Sequence, residues 1–265
     1  MKKTVYTKYG SPDVIELIET EKPVPNDNQV LVKVHAASVN ALDWHRLRGA
    51  LGIRLMSGEL FKPKETSLGI DVAGRVEAVG DSIIQFQPGD EVFGVAKGSF
   101  AEYACADEHE LVLKPANVSF EAAAATPVAA LTALQALHDK GRIQPGQKVL
   151  INGASGGVGT FAFQIAKSFE AIVTAVCSTR NLDIARSVGA DHIIDYTQED
   201  LTTNGRQYDL IFAANGYNSI FDYRRALCST GIYVSAGGEL AQILQAALVG
   251  PMLSKLGSKK LSFMG

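Results

Sequence analysis

The residues with the clearest chemistry lie in Val149-Leu-Ile-Asn-Gly153-Ala154-Ser155-Gly156-Gly157-Val158-Gly159. An apolar strand-like run enters a glycine turn and passes straight into an amphipathic segment, and that context turns a glycine pattern into a dinucleotide fingerprint. Gly156 has no Cβ and lets the backbone approach a pyrophosphate, while Gly159 allows close packing of helix on strand. Amides at the helix start carry the positive end of the dipole toward phosphate. Ala154, Ser155, Gly156, Gly157, Val158 and Gly159 are therefore the candidate cradle, with Ala154 where the usual pattern has its first glycine. The rival reading is a glycine turn that closes a strand-helix unit and binds nothing.

The 2′ position of such a cofactor is read at the end of the second strand, about 20 residues further on. The sequence there is Val176-Cys177-Ser178-Thr179-Arg180-Asn181, with no carboxylate for a ribose diol, and Asp183 lies deeper in the next helix. Two hydroxyls and a guanidinium suit a 2′-phosphate, because arginine offers a charge-assisted fork of donors. This favours NADPH over NADH. Alternatively Ser178, Thr179 and Asn181 only cap a helix, and Arg180 is solvated. Ala214 and Asn215 follow the fourth strand and Gly237 the fifth, where loops of this fold cover the cofactor; Gly237 and Gly238 equally suit a plain turn.

Elements in two textures must position these groups. Residues 29–37, 69–79 and 91–95 are β-branched runs bounded by turn signals and predict a small β-barrel. Ser119 opens a helical stretch rich in alanine and leucine that reaches Lys140 before Pro145-Gly146. Beyond it, strands at 148–152, 172–177, 192–195, 210–214 and 231–235 alternate with helices at 158–169, 182–188 and 219–227, predicting a parallel sheet covered on both faces. The natural division is into domains 1–118 and 119–265.

Composition narrows the class. The 265 residues are 46% hydrophobic and 20% charged, which predicts a soluble globular fold. A net charge of -3, with no basic run longer than Lys259-Lys260, argues against nucleic acid or an anionic membrane as main partner. Cys105, Cys177 and Cys228 lie far apart and form neither a disulfide framework nor a paired-cysteine metal site, which suggests a reducing compartment, most simply the cytoplasm. The N-terminus has no apolar signal region, and the apolar run at 240–253 is too short to span a bilayer and contains Pro251. Short-chain reductase chemistry is disfavoured, because no tyrosine is followed four positions later by lysine.

Several further stretches carry a resemblance: Ala37-Ser-Val-Asn-Ala-Leu-Asp43-Trp44, Leu68-Gly-Ile-Asp71-Val-Ala-Gly74, Phe86-Gln-Pro-Gly-Asp-Glu-Val-Phe-Gly94, Ser99-Phe-Ala-Glu-Tyr103 and Val188-Gly-Ala-Asp191. With the glycine turn, in this order and over almost the whole chain, they resemble the medium-chain dehydrogenase/reductases, in the zinc-independent quinone oxidoreductase and enoyl reductase branch. The resemblance implies an α/β protein, a GroES-like β-barrel catalytic domain plus a Rossmann doubly wound parallel sheet, with the active site in the cleft between them. Where zinc-dependent members place a cysteine and a histidine, this chain has Asn40 and Ile70, and it lacks the four cysteines of a structural zinc lobe. Its five histidines are scattered.

Without a metal Lewis acid, reduction of an activated acceptor is easier to support than alcohol oxidation. Quinones and α,β-unsaturated carbonyls take a hydride on a carbon conjugated to a carbonyl, and the resulting anion needs hydrogen-bond donors and a proton. The resemblance puts Asn40 in the cleft as an amide donor to that oxygen, against a turn-stabilising role, and Thr132 beside the nicotinamide, against an ordinary mid-helix threonine. It also puts Tyr196 near the adenosine phosphate. Asp43, Trp44 and His45 could line the substrate mouth, although Trp44 equally suits buried packing; Asp71 suits a salt bridge. No general acid stands out, and the loop at 47–64 that shapes the substrate pocket is constrained by no motif. Relatives usually continue into a segment that returns to the barrel, whereas this chain stops at residue 265, on what resembles the start of a sixth, edge strand. That edge invites a homodimer. A zinc-type alcohol dehydrogenase and a non-catalytic or truncated NADPH-binding protein are the alternatives.

Overall fold

The computed structural model describes residues 1–52, 54, 58–64, 66–201, 203, 205–238 and 240–264. Parts of the 47–64 loop and the final residue, Gly265, therefore lie outside the described residues. Two compact units divide the chain, Met1–Val128 and Ala129–Gly265.

The first unit is mostly antiparallel sheet. Strands β1 (Lys2–Tyr6) and β2 (Ile15–Glu19) pair as a ladder with Lys2 opposite Glu19. Strand β3 (Gln29–Ala36) leads into helix α1 (Ala41–Arg48), followed by β4 (Asp71–Val79), β5 (Glu91–Val95), β6 (Tyr103–Asp107) and β7 (Leu111–Leu113). The last five strands form one sheet in the order β6-β3-β4-β5-β7. Alternation puts Val30, Val32, Val72, Val76, Val92 and Leu111 on its buried face.

The helical stretch read from Ser119 to Lys140 is three pieces: α2 (Phe120–Ala124), α3 (Pro127–Leu134) and a π-helical continuation, Gln135–Lys140. Pro127 has no N–H to extend the first helix, and Thr126 Oγ1 donates to the Ala122 carbonyl at 2.8 Å. Ala123 and Ala124 pack on Ala73 of β4, so the first compact unit extends past residue 118, where the sequence texture changes.

In the second unit the strands are β8 (Lys148–Asn152), β9 (Ile172–Cys177), β10 (His192–Asp195), β11 (Tyr208–Ala213), β12 (Leu227–Ser235) and β13 (Lys260–Phe263). All pair in parallel, in the order β10-β9-β8-β11-β12-β13. Helices α4 (Gly157–Ser168), α5 (Leu182–Ser187) and α6 (Ile220–Ala226) make crossovers. One apolar cluster gathers Phe163, Ala162 and Leu137 against Val149, Ile151 and Phe212, and a second gathers Tyr223, Leu201 and Ala246 against Leu150, Ile211 and Tyr233. Alternate residues of each strand thus feed opposite faces. Strand β12 starts four residues earlier than the alternation predicts, because Leu227 pairs with Tyr208 across a register shift. The sheet reverses direction of growth at β8, which has β9 on one side and β11 on the other. Ligands of open α/β sheets bind outside the carboxyl ends of strands at such a switch point.

Candidate functional site

The glycine turn sits at that point. Gly153 has φ +85°, and a Cβ there would lie 2.9 Å from the Asn215 Cβ, so only glycine lets the turn pass this close to the loop after β11. At Gly159 a Cβ would fall 2.1 Å from the Gly153 carbonyl oxygen. The close approach made by Gly159 is thus to the turn itself, and this seats the start of α4 on it.

The amides divide into two groups. Gly153 and Ala154 N–H both donate to the Val176 carbonyl at 3.2 Å, and Gly156 N–H donates to the Gly153 carbonyl at 3.1 Å. Ala154 is buried in the core, so neither its side chain nor its amide is open to a ligand. Those of Gly157, Val158 and Gly159 have no acceptor among the described residues. They are the unsatisfied donors that every helix start presents. A Cβ at Gly156 would meet nothing closer than 3.5 Å, so the face of the turn in front of these amides is open. Ser155 Oγ accepts from Asn181 Nδ2 at 2.9 Å, and the same amide donates to Ser178 Oγ at 3.2 Å. Asn181 therefore ties the turn to the end of β9.

The sequence shows no carboxylate at the end of β9, but the fold delivers one from the neighbouring strand. Asp195, at the end of β10, accepts from Thr179 Oγ1 at 2.5 Å and from Thr197 Oγ1 at 2.7 Å and Thr197 N–H at 3.0 Å. These bonds, that from Thr179 foremost, hold its carboxyl below the usual aspartate range. The Thr179 hydroxyl proton is thus already engaged. Arg180 is exposed and forms no ion pair among the described residues. Tyr196 follows Asp195, is 46% exposed, and faces Tyr217 with ring centroids 5.2 Å apart. The loops after β11 and β12 meet: Ala214 and Asn215 amides donate to the Asn152 carbonyl, and Gly216 N–H donates to the Gly237 carbonyl at 3.2 Å. Ala154 to Gly159, Ser178 to Arg180, Tyr196, Ala214, Asn215 and Gly237 are all gathered at one end of one sheet. Sequence reasoning missed Asp195, Asn181 and Tyr217 as members of this end, since their partners lie on other strands.

Candidates outside this end stand differently. Asn40 is the N-cap residue of α1; its N–H donates to Asp43 Oδ2 at 2.8 Å, and its Nδ2 to Asp71 Oδ2 at 3.0 Å and Ser38 Oγ at 3.3 Å. Both amide hydrogens are engaged within the protein. Asp71 is fully buried and forms no salt bridge among the described residues, contrary to expectation; it accepts from Ser38 Oγ at 2.6 Å, from Asn40, and from Val128 N–H at 3.1 Å. Asp43 is also buried, its Oδ1 taking the Gly69 N–H at 3.0 Å, so it braces the fold. Trp44 is 48% exposed, which rules out buried packing, and the Arg48 guanidinium lies 5.0 Å from its ring centre. Thr132 is half-buried on α3. Among the described residues no three His, Cys, Asp or Glu are grouped to hold a metal ion, and no helix is long and apolar enough to cross a membrane.

Known proteins agree with this architecture. Residues 26–116 match the alcohol dehydrogenase GroES-like domain and residues 157–256 match the zinc-binding dehydrogenase family. The chain is 39% identical over 220 residues to a chloroplastic quinone-oxidoreductase homolog of Spinacia oleracea, covering 78% of this chain and 65% of that protein. It is 37% identical over 230 residues to a chloroplastic NADPH-dependent alkenal/one oxidoreductase of Arabidopsis thaliana, covering 82% of this chain and 58% of that one. The chain thus spans roughly three fifths of the length of these curated relatives. The quinone oxidoreductase from Coxiella burnetii superposes with a TM-score of 0.87 at 30% identity, over 100% of this chain and 82% of that one.

Proposed function

The chain belongs to the medium-chain dehydrogenase/reductase superfamily, in its quinone oxidoreductase and enoyl reductase branch, and on that premise we propose that it is an NADPH-dependent, zinc-independent reductase of quinones or α,β-unsaturated carbonyls. The observation that carries the reading is the row of unsatisfied amides at Gly157, Val158 and Gly159 behind an open Gly156. Three donors at a helix start fit a pyrophosphate, and Arg180, exposed and without an ion pair among the described residues, fits a 2′-phosphate. When bound, NADPH supplies the hydride. The chain's own part is to fix the dinucleotide at the switch point, with Tyr196, Ala214, Asn215 and Gly237 closing the ends of three strands around it.

Asn40 is the group proposed to meet the developing oxyanion. The fold holds its amide on Asp71 and Ser38, so it becomes a donor by exchanging the longer bond, that to Ser38. Thr132 is proposed as the hydroxyl nearest the nicotinamide. Zinc independence rests on ligand chemistry, since an amide and an alkyl group at positions 40 and 70 are poor zinc ligands. Pairing of two β13 edges in a homodimer belongs to the same proposal. So does a reducing compartment, simplest as the cytoplasm, which suits three free cysteines. The test is NADPH oxidation followed at the nicotinamide absorbance with a panel of quinones and enals, with and without a chelator. Turnover unaffected by the chelator is expected. Loss of turnover with the chelator overturns zinc independence, and NADPH binding with no turnover of any acceptor leaves nucleotide binding as the function.

A further inference from the structure

Directly beneath the strand ends of the second unit, the core is polar. Tyr223 of α6 is fully buried, and its hydroxyl accepts from Asn152 Nδ2 at 2.7 Å and from the Tyr217 and Asn218 amides at 3.3 and 3.5 Å. Its ring stacks on Tyr233 of β12, with centroids 4.8 Å apart and planes at 23°. The Tyr233 hydroxyl is met by Gln242 Nε2, which also donates to Ser235 Oγ at 3.2 Å. Burial pushes both tyrosine hydroxyls upward, so each stays protonated. Gln242 is 4% exposed, and its Oε1 has no partner among the described residues.

Two glycines close over that amide. A Cβ on Gly238 would lie 2.4 Å from Gln242 Oε1, and one on Gly216 would lie 2.7 Å from Nε2; the two glycines also form a parallel bridge. A Cβ at either place would force the glutamine amide to move, and at Gly238 it would also meet the Gly216 carbonyl oxygen at 2.3 Å. A buried polar relay with one unsatisfied acceptor is less favourable to folding than apolar packing of the same volume. Its members explain why it stands here. Asn152 immediately precedes the glycine turn, Tyr217 and Asn218 belong to the loop after β11, and Ser235 ends β12. The relay therefore touches the carboxyl ends of three adjacent strands, the place where a dinucleotide crosses an open sheet.

We propose that Gln242 and Tyr223 are positioning residues for the nucleotide site: by tying Ser235 and the two glycines to Asn152, they fix the loops after β8, β11 and β12 against the nicotinamide half of NADPH. The inference rests on the NADPH reading above. Its test titrates the full chain with NADPH by nicotinamide fluorescence, and with adenosine 2′,5′-bisphosphate, which carries only the adenosine half, by calorimetry. Gln242→Met keeps length and volume but removes the amide. It is expected to weaken NADPH about tenfold, the scale of one lost hydrogen bond, and adenosine 2′,5′-bisphosphate less than about twofold. If Gln242→Met does not fold, Ser235→Ala, which removes one acceptor, is expected to weaken NADPH alone by about threefold. Unchanged NADPH affinity, or equal weakening of both ligands, overturns the inference while the NADPH reading stands. No titration by the unsubstituted chain overturns that reading and the inference with it.

Discussion

The carboxyl cluster around Asp71 in the first unit and the glycine turn in the second are both dense in polar groups, yet they are opposites. At Asp71 three donors converge on one buried carboxyl. At the turn three amides meet no acceptor among the described residues. The first arrangement is complete in itself and holds the start of β4, the start of α1 and the start of α3 in one geometry. The second is incomplete until an anion arrives. A buried or half-buried polar group with its partners in place is scaffold; donors aligned on an open face are a binding surface.

Substitutions can break that contrast. Asp71→Ala leaves Ser38, Asn40 and the Val128 amide without their acceptor, so a loss of about 3 kcal/mol in unfolding free energy is expected in urea titration. A loss below about 1 kcal/mol would show that the cluster is not scaffold. Gly156→Ala should do the reverse. Its Cβ meets only the Gly153 oxygen at 3.5 Å and its φ of -80° suits alanine, so stability should fall by no more than about 1 kcal/mol, the scale of a poorer N-cap, while NADPH affinity, read by calorimetry, falls about tenfold or more. Unaltered NADPH affinity in that variant would mean that the open face is not where the pyrophosphate lies.

The smallest expected effect concerns Asp195, a carboxyl at the nucleotide end that neighbouring hydroxyls satisfy. Because its folded-state pKa is depressed, the stability it contributes is present above the ordinary aspartate value and is lost as pH falls through the folded value, below about 3.8. Thr179→Val removes the largest cause. The carboxyl resonance of Asp195 in an NMR titration should then shift its midpoint upward toward the unperturbed range, with neutral-pH stability little changed. A midpoint that stays put would assign the depression to Thr197.

Much of the nucleotide end was legible because its cues are local. The bounds of β8, β9 and β10 follow from β-branched runs and flanking turns, and α4 begins one residue before the predicted start. Long-range pairings were not legible. Thr179 meets Asp195 sixteen residues on, Ser155 meets Asn181 across twenty-six, and Asn152 meets Tyr223 across seventy-one. No spacing rule reports such partners, since strand order decides them. For the same reason Asn40 reads as an available donor in the sequence and is a committed one in the fold. The break at Pro127 was visible as a residue, but its effect was masked by strong helix formers on both sides.

The position of β8 has a consequence for assembly of the molecule. It is the first strand of its sheet to be synthesised, yet it lies in the interior, and its two neighbours arrive only after crossover helices have been made. The sheet grows outward from its oldest strand, first through β9 and β10 and then, returning across the centre, through β11, β12 and β13. Until β11 docks, one side of β8 has open ladder groups and an apolar surface, so the segment that ends in the glycine turn is the one that waits longest for protection during folding.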